Sequence, residues 1–278
     1  MRLEKFGCGV EIWDVDIGGG LAGHEIDGIR KAFSDHGLIF IRDQHISEQD
    51  HIDFARQFGE INVNRFFQAH PDYPEVALVI KEPDQAYNIG GGWHTDHSYD
   101  EIPALGSILA ARELPATGGD TWFVSMYDVL DQLSAGMRKA LEQMRAVHSA
   151  HHVFGSQNSG QGEFGGRIGN SASADVLDDP VHPVIIRHPL SGRPTLYVNP
   201  GFTLRFEGWT EEESAPLLEF LYSQATRNEN ITRFNWQPGS IAFWDNRATW
   251  HFAQNDYQGL RREMHRITIE GCKLEAAV

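Results

Sequence analysis

The stretch Gly90-Gly91-Gly92-Trp93-His94-Thr95-Asp96 contains the residues from which the fold and chemistry of this chain can be worked out. In an extended segment, residues i and i+2 project to the same side, so His94 and Asp96 would present an imidazole and a carboxylate together. A further histidine, His251, follows far downstream in a strand-like run. Two imidazoles and one carboxylate on one face of a metal ion leave the other face open, which is typical of non-haem Fe(II) oxygenases. The pattern therefore indicates a metal centre if these three residues meet in space.

Two other His-x-Asp pairs lack this geometry. His51 and Asp53 fall within residues 47–58, for which Ser47 as N-cap and the spacing of apolar residues predict a helix. Residues i and i+2 point about 200° apart on a helix, so this pair is a poor chelator. His70-Pro71-Asp72 is expected to form a turn because of its prolines.

Composition limits the classes of function. The chain has 278 residues, 41% of them hydrophobic, which suits one globular domain over residues 1–278. Lys+Arg 23 against Asp+Glu 39 gives a net charge of −16, which disfavours nucleic acid and anionic membranes as partners. Cys8 and Cys272 are too few for a disulfide scaffold or a thiolate metal cage. The N-terminal residues lack the apolar run of a signal peptide, so we expect a cytoplasmic protein.

Helical patterns are few, and short strand-like runs are many. Helices are predicted over 24–36, over 47–58, as two short pieces within 125–144, and after a capping box at Thr210. The second half of the chain consists mainly of short apolar runs separated by Gly, Pro, Asn or Asp. Without regular intervening helices, these runs predict a mainly β fold with flanking helices and a jelly-roll-like double sheet.

Residues 155–180 interrupt this pattern. They are rich in Gly, Ser and Asn and almost without apolar residues. A long segment of this kind in a compact domain is either a mobile lid over a site or a flexible surface insertion, and the sequence leaves both open.

A glycine-rich stretch offers a competing interpretation. Residues 18–23 match G-x-G-x-x-G, precede a predicted helix, and have Asp43 further on, as in NAD-binding oxidoreductases. The preceding run, residues 10–17, alternates polar and apolar residues, whereas a central parallel strand is apolar on both faces. This dinucleotide hypothesis is therefore a remote alternative.

Two arginines follow His251. In the strand-like run after Arg262, the even-numbered residues Arg262, Met264 and Arg266 share one face. An inward-facing guanidinium needs an acidic partner or an anionic ligand. An internal salt bridge and a bound dicarboxylate are both consistent with this pattern, and the guanidinium fork suits a carboxylate.

Five segments, in order along nearly the whole chain, resemble the taurine dioxygenase family, which also includes 2,4-dichlorophenoxyacetate and other aryloxyalkanoate dioxygenases and alkylsulfatases. The segments are Trp93-His94-Thr95-Asp96, Gly118-Gly119-Asp120-Thr121, Val198-Asn199-Pro200-Gly201-Phe202-Thr203, Trp244-Asp245-Asn246-Arg247 and Arg261-Arg262-Glu263-Met264-His265-Arg266. The resemblance implies a double-stranded β-helix (cupin-like jelly roll), Fe(II), 2-oxoglutarate and O2. It implies that His94, Asp96 and His251 are the catalytic metal ligands.

The same resemblance implies how ligands other than the metal are held. Thr121 and Arg262 match residues that bind the distal carboxylate of 2-oxoglutarate. Arg266 matches a residue near the co-substrate's inner carboxylate that also contacts the substrate's anionic head.

Further positions match a substrate pocket. They are Phe154, Phe202, Asn64 and Tyr73. Gly90 and Val153 stand where taurine dioxygenase has polar residues, which disfavours taurine itself. We therefore expect a larger amphipathic anion, an aryloxyalkanoate, alkyl sulfate or sulfonate, whose hydroxylation cleaves the adjacent C–O or C–S bond. We also expect a homo-oligomer, a dimer or tetramer.

Two points stay open. A non-catalytic metal-binding jelly roll acting as a sensor is the main alternative, and it predicts metal ligands without residues that bind a co-substrate.

His97 is expected to face away from the metal, and most of the remaining histidines, including His151 and His152, are interpreted as structural or surface groups.

Overall fold

In a computed structural model of the chain, residues 1–155 and 177–278 are described. Most of the predicted lid, residues 155–180, lies outside these ranges. The described helices are α1 (Gly23–His36), α2 (Glu48–Arg56), α3 (Met126–Gln132), α4 (Ala135–Leu141), α5 (His151–Phe154) and α6 (Glu211–Ala225), with a 3-10 turn at Asn228–Asn230. The described strands are β1 (Arg2–Phe6), β2 (Gly9–Trp13), β3 (Leu38–Ile41), β4 (Ile61–Asn62), β5 (Ala77–Lys81), β6 (Gly106–Glu113), β7 (Thr121–Ser125), β8 (Arg145–His148), β9 (Val181–Pro183), β10 (Ile185–Arg187), β11 (Pro194–Leu196), β12 (Thr203–Phe206), β13 (Thr232–Phe234), β14 (Ile241–Asp245), β15 (Thr249–Ala253), β16 (Arg262–Ile269) and β17 (Glu275–Ala276).

One large sheet and three small ones are built from these strands. The large sheet has the order β1-β2-β3-β14-β6-β16-β4, with β5 also paired to β16. The small sheets are β13-β7-β15, β12-β8-β9 and β11-β10-β17. Within the large sheet only the β2–β3 pair is parallel among the described strands. The predicted mainly β, jelly-roll class with flanking helices is confirmed.

The large sheet is apolar on both faces, and β14 shows how. Its residues Ile241 and Phe243 pack with α1 and α2 on one side, where the Phe33 and Phe243 rings stack with their centroids 3.8 Å apart. Ala242 and Trp244 point the other way, toward β7 and β13. The side chains on this second face form an apolar core between the large sheet and the sheet β13-β7-β15. Met264 of β16, which shares a strand face with Arg262 and Arg266, belongs to this core.

The predicted helix starts are present. The Ser47 hydroxyl accepts the backbone N–H of Asp50, whose carboxylate accepts the N–H of Ser47 in return. Thr210 and Glu213 form the same capping box at the start of α6. Among the described residues, no helix is long and apolar enough to cross a bilayer.

The glycine-rich stretch before α1 does not present the amides that a pyrophosphate needs. The Glu25 carboxylate accepts the N–H of Ala22, and the Asp16 carboxylate accepts the N–H of Gly19. Acidic side chains therefore stand at the place where a dinucleotide would put its phosphates. The chain does form a parallel β2–α1–β3 unit, which is why residues 18–23 resemble the glycine pattern of a dinucleotide-binding fold.

A buried ion cluster lies next to residues 94–96, and the sequence patterns did not predict it. Arg247 donates to Asp245 through Nε (2.8 Å) and Nη2 (2.7 Å), and His188 Nε2 lies 3.0 Å from the same carboxylate. The backbone carbonyl of Asn246, between them, accepts the hydroxyl of Thr95. The cluster thus ties the turn after β14 to the segment that carries His94 and Asp96.

His51 makes the stability of the fold sensitive to acid. It is buried on α2, and burial, with Arg112 and His265 nearby, lowers its pKa to about 3. In the unfolded chain it takes up a proton near pH 6.5, so stability is fully present above that pH and is lost as pH falls toward 3. We expect His51→Leu to flatten the fall in unfolding free energy between pH 6.5 and 4 by up to about 1.4 kcal/mol per pH unit. Urea unfolding at several pH values measures this, with exposed His24→Leu as the control; parallel profiles for both variants and the wild type would contradict it.

Candidate active site

A two-residue bridge joins the two halves of the predicted metal site. The N–H of His94 donates to the carbonyl of His251 (3.2 Å), and the N–H of His251 donates back to the carbonyl of His94 (2.9 Å). His251 belongs to β15, whereas His94 pairs only at this one position before the chain turns at Asp96. The expected extended segment is therefore shorter than predicted, and Asp96 converges on His94 through a turn.

The three predicted ligands offer their atoms to one point. One nitrogen from each imidazole and a carboxylate oxygen all lie within 4.8 Å of one another. His94 Nε2 lies 3.6 Å from Asp96 Oδ1, and His251 Nε2 lies 3.7 Å from Asp96 Oδ2. The Nδ1 of His94 is 2.7 Å from the carbonyl of Gly92 and donates to it, so Nε2 is the nitrogen that faces Asp96 as the ligand atom. These donors fit a divalent iron-type cation with an open face.

Positive charges around Asp96 keep its carboxyl group ionised, which is the form that binds a metal ion. Burial alone would raise the pKa of its carboxyl, but the Arg266 guanidinium and the neighbouring imidazoles hold that pKa well below its usual range. Arg266 Nη1 donates to Asp96 Oδ2 at 3.1 Å. Burial and the proximity of His94 keep the pKa of His251 well below its ordinary value. At neutral pH the site therefore offers one carboxylate and a neutral imidazole at His251.

Arg262 is a buried cation whose fork is open. Its Nε and Nη2 have no hydrogen-bond partner within the described part of the chain. Burial lowers its pKa, but an arginine remains protonated. A buried, unneutralised guanidinium is costly unless an anion binds it, so the donor set fits a carboxylate ligand. Of the two alternatives for the inward arginines, the internal salt bridge is present at Arg266, whereas no described residue forms one with Arg262.

Trp236 completes this end of the site, and the sequence patterns did not predict it. Its indole N–H donates to Thr121 Oγ1 at 2.9 Å, so the Thr121 hydroxyl proton must point to another acceptor. The Arg262 guanidinium lies 5.7 Å from the Trp236 ring centroid. Trp236 thus contacts both Thr121 and Arg262.

The three predicted ligands line one cavity of about 330 Å³, together with Thr121, Arg262 and Arg266. It is walled mainly by apolar and aromatic residues, and its lining includes Phe67, Val79, Tyr87, Ile89, Trp93, Tyr99, Leu109, Val153, Phe154, Phe202 and Trp244. Gly201 allows the close approach of the wall to the metal site, because a Cβ there would lie 2.7 Å from His94 Cβ. Phe154 and Phe202 are thus at the cavity, as expected from their positions in the sequence.

Two predicted pocket residues are elsewhere. Tyr73 packs against the core beneath α1 and α2. Asn64 does not line the cavity, at least among the described lining residues, and its amide instead contacts His97 and the backbone of Phe66 and Phe67. Neither side chain therefore lines the cavity as the structure describes it.

Three histidines outside the ligand set, His97, His151 and His152, make local contacts. His97 Nδ1 lies 2.8 Å from Asp100 Oδ2. His151 Nε2 lies 3.0 Å from the carbonyl of Leu177, and His152 Nε2 lies 2.7 Å from the carbonyl of Gly201.

Comparison with known proteins agrees with this geometry. The family model "Taurine catabolism dioxygenase TauD, TfdA family" matches residues 6–268. An alpha-ketoglutarate-dependent sulfate ester dioxygenase of Pseudomonas putida is 31% identical over 267 residues, covering 95% of this chain and 86% of that protein. An alkylsulfatase of Acinetobacter baylyi is 30% identical over 269 residues, covering 95% and 82%. The crystal structure of a taurine dioxygenase from Burkholderia xenovorans superposes with a TM-score of 0.83 at 31% identity, covering 99% of this chain and 91% of that one.

Metal binding should depend on Asp96 and not on the helical pair His51 and Asp53. Asp96→Ala removes the only anionic ligand atom of the set, so we expect affinity for Fe(II) or Co(II) to fall by at least about 100-fold. Anaerobic calorimetry measures this, and circular dichroism checks that the variant is folded. Asp53→Ala, in the helical pair of α2, serves as the control and should bind as the wild type does. Equal metal affinity in Asp96→Ala would contradict the assignment.

Proposed function

This chain belongs to the TauD, TfdA family of dioxygenases, and from that premise we propose that it hydroxylates a small amphipathic organic anion at an Fe(II) centre, with 2-oxoglutarate and O2 as co-substrates. The enzyme is an oxidoreductase acting on paired donors. The observation that carries the proposal is the shared cavity. It is lined by the His-Asp-His set and by the buried Arg262 guanidinium, whose Nε and Nη2 have no partner among the described residues.

The residue roles follow from the donors. His94, Asp96 and His251 would hold the iron. The Arg262 fork and the Thr121 hydroxyl would bind the distal carboxylate of 2-oxoglutarate, because both residues line the cavity and Nε and Nη2 of Arg262 have no partner in the described chain. When bound, iron and 2-oxoglutarate supply the oxidising chemistry, in which the ketoacid becomes succinate and CO2 and an oxygen atom of O2 is transferred to the substrate.

A count of formal charges supports a monoanionic substrate. The cation contributes two positive charges, Asp96 one negative charge, and Arg262 and Arg266 one positive charge each. Dianionic 2-oxoglutarate then leaves a single positive charge in a cavity with mainly apolar walls. One sulfate ester, sulfonate or carboxylate group neutralises it, with its head on Arg266, whose Nε is buried without a partner in the described chain.

The apolar walls support a substrate with a hydrophobic body. Phe154 and Phe202 lie with their ring centroids 5.9 Å apart, and Val153 and Phe67 extend the same surface. Such walls orient an alkyl or aryl group and exclude water from the reacting carbon. The names of the two relatives, a sulfate ester dioxygenase and an alkylsulfatase, put alkyl sulfates first in this class, with sulfonates and aryloxyalkanoates beside them.

Hydroxylation at the carbon next to oxygen or sulfur leads to bond cleavage. For an alkyl sulfate, the carbon gains a hydroxyl, the resulting hemiacetal-like sulfate expels sulfate, and the hydroxyl proton is lost as an aldehyde forms. The sum is alkyl sulfate, O2 and 2-oxoglutarate giving aldehyde, sulfate, succinate, CO2 and one proton. Sulfonates would lose sulfite in the same way, and aryloxyalkanoates would release a phenol.

The expectations of a single domain, a lid at residues 155–180, a cytoplasmic location and a homo-oligomer stay predictions.

A panel assay tests the substrate class. We expect succinate formation and O2 uptake with octyl sulfate, hexanesulfonate or 2,4-dichlorophenoxyacetate, and none with a neutral alcohol of the same length. Only an anion cancels the single positive charge that remains in the cavity after 2-oxoglutarate binds. Mass spectrometry of the products identifies the cleaved bond. No turnover with any of the anions would overturn the proposed substrate class.

Binding of 2-oxoglutarate by Arg262 distinguishes an enzyme from a metal-binding sensor. Arg262→Met keeps the side-chain volume but removes the fork, so we expect the affinity for 2-oxoglutarate to fall by at least about 30-fold. The visible absorbance that develops when 2-oxoglutarate is added to the anaerobic Fe(II) protein measures this binding. Arg261→Met is the control, because Arg261 pairs with Glu82 and Glu263 outside the cavity. The sensor hypothesis predicts no such band even in the wild type.

A further inference from the structure

We propose that Asn64, His97 and Asp100 are positioning residues that hold residues 64–67 against the turn following Asp96 and thereby place the Phe67 wall beside Arg266. The kinetic consequence of this arrangement rests on the proposed function, whereas its structural consequence does not. Asn64 is then a support of the pocket and not a substrate contact.

The hydrogen bonds of Asn64 determine which way its amide points. Its Oδ1 accepts the backbone N–H groups of Phe66 (2.9 Å) and Phe67 (3.1 Å), so the oxygen must face the backbone. The Nδ2 group therefore faces His97 Nε2, at 3.3 Å, as a donor. The short side chain thus links two segments of the chain, the loop after β4 and the turn after Asp96.

That orientation determines the tautomer of His97. Because Nε2 accepts from Asn64, the ring proton is on Nδ1, which donates to Asp100 Oδ2 at 2.8 Å. His97 is 2% exposed and has φ of 60°, a left-handed conformation that costs energy for a residue with a side chain. Its two hydrogen bonds and its burial hold this conformation in the residue directly after Asp96.

Arg65 adds a second link between the same two segments. Its Nη2 pairs with Asp100 Oδ1. Its guanidinium also lies over the rings of Phe66 (5.0 Å) and Tyr99 (5.8 Å). Both oxygens of Asp100 are therefore engaged, one by each segment.

The loop held in this way forms part of the substrate wall. Phe66 stacks on Phe154 with ring centroids 4.3 Å apart, and Phe67 lies under the guanidinium of Arg266 at 4.3 Å. Arg266 in turn donates to Asp96. A loop released from His97 would remove the ring that covers Arg266 and admit water to the group proposed to hold the substrate anion. Arg262 and Thr121 lie on β16 and β7, and within the described structure neither makes a hydrogen bond or an ion pair with residues 64–67. Binding of 2-oxoglutarate should therefore not change.

Three variants separate the parts of the link. Asn64→Ala removes the contacts to the backbone and to His97. Asn64→Ser keeps an oxygen that can accept a backbone N–H but is too short to reach His97. Asn62→Ala is the matched control, because this amide donates to Glu270 on the outer edge of the same segment.

Hydrogen exchange tests the link without any substrate. In Asn64→Ala we expect the amides of Phe66 and Phe67 to exchange about tenfold faster than in the wild type, whereas Asn62→Ala leaves them unchanged. Asn64→Ser should fall between the two. Unchanged exchange in Asn64→Ala overturns the proposal, and exchange in Asn64→Ser identical to that of the wild type overturns the role of His97.

Kinetics with octyl sulfate and 2,4-dichlorophenoxyacetate test the effect on the pocket. In Asn64→Ala we expect KM for the better of these two probes to rise about tenfold, with the dissociation constant of 2-oxoglutarate unchanged. Parallel losses in both constants would indicate general disruption and would overturn the positioning role. If the wild-type enzyme turns over neither probe, the proposed substrate class fails, and the exchange result alone decides the proposal about Asn64.

Discussion

The reciprocal hydrogen bonds between His94 and His251 are the constraint on which the rest of the site depends. Each bond contributes only about 1 kcal/mol, but together they set the register of two segments far apart in the chain. β15 also pairs with β7, which places His251 opposite Phe123 and Ala253 opposite Thr121. A slip of one residue in β15 would turn the His251 ring to the other face and misplace it relative to Thr121. One register therefore fixes the spacing between the metal centre and the co-substrate end of the cavity.

The two buried arginines of β16 give the unliganded protein an electrostatic imbalance. Arg266 is neutralised by Asp96, whereas the Arg262 fork has no acceptor in the described chain. Removing such a charge from water is costly, so the folded protein should gain stability when a carboxylate binds. Asp96 serves two purposes in this arrangement. It is the anionic member of the metal set, and it keeps Arg266 in place beside the substrate space.

The sequence predicted the features that depend on local pattern. Capping boxes at Ser47 and Thr210 marked helix starts, and period-two alternation placed Arg262 and Arg266 on one strand face. It could not predict contacts between side chains distant in the chain, such as the bond from Trp236 to Thr121, because neither residue type implies its partner. Strands such as β8 and β12 cannot be located from the sequence either, since four residues of mixed polarity carry too little alternation.

Asn64 shows why a matching position does not imply a matching contact. An amide has one oxygen and one NH2 group, and here two backbone N–H groups engage the oxygen while His97 accepts from the nitrogen. Those bonds hold the side chain in the turn between two segments, so the residue that reaches the cavity from this loop is Phe67. The loop therefore offers a substrate an aromatic face where a polar side chain was expected. A pocket built in this way recognises the anionic head with Arg266 and selects the remainder of the molecule by its apolar surface.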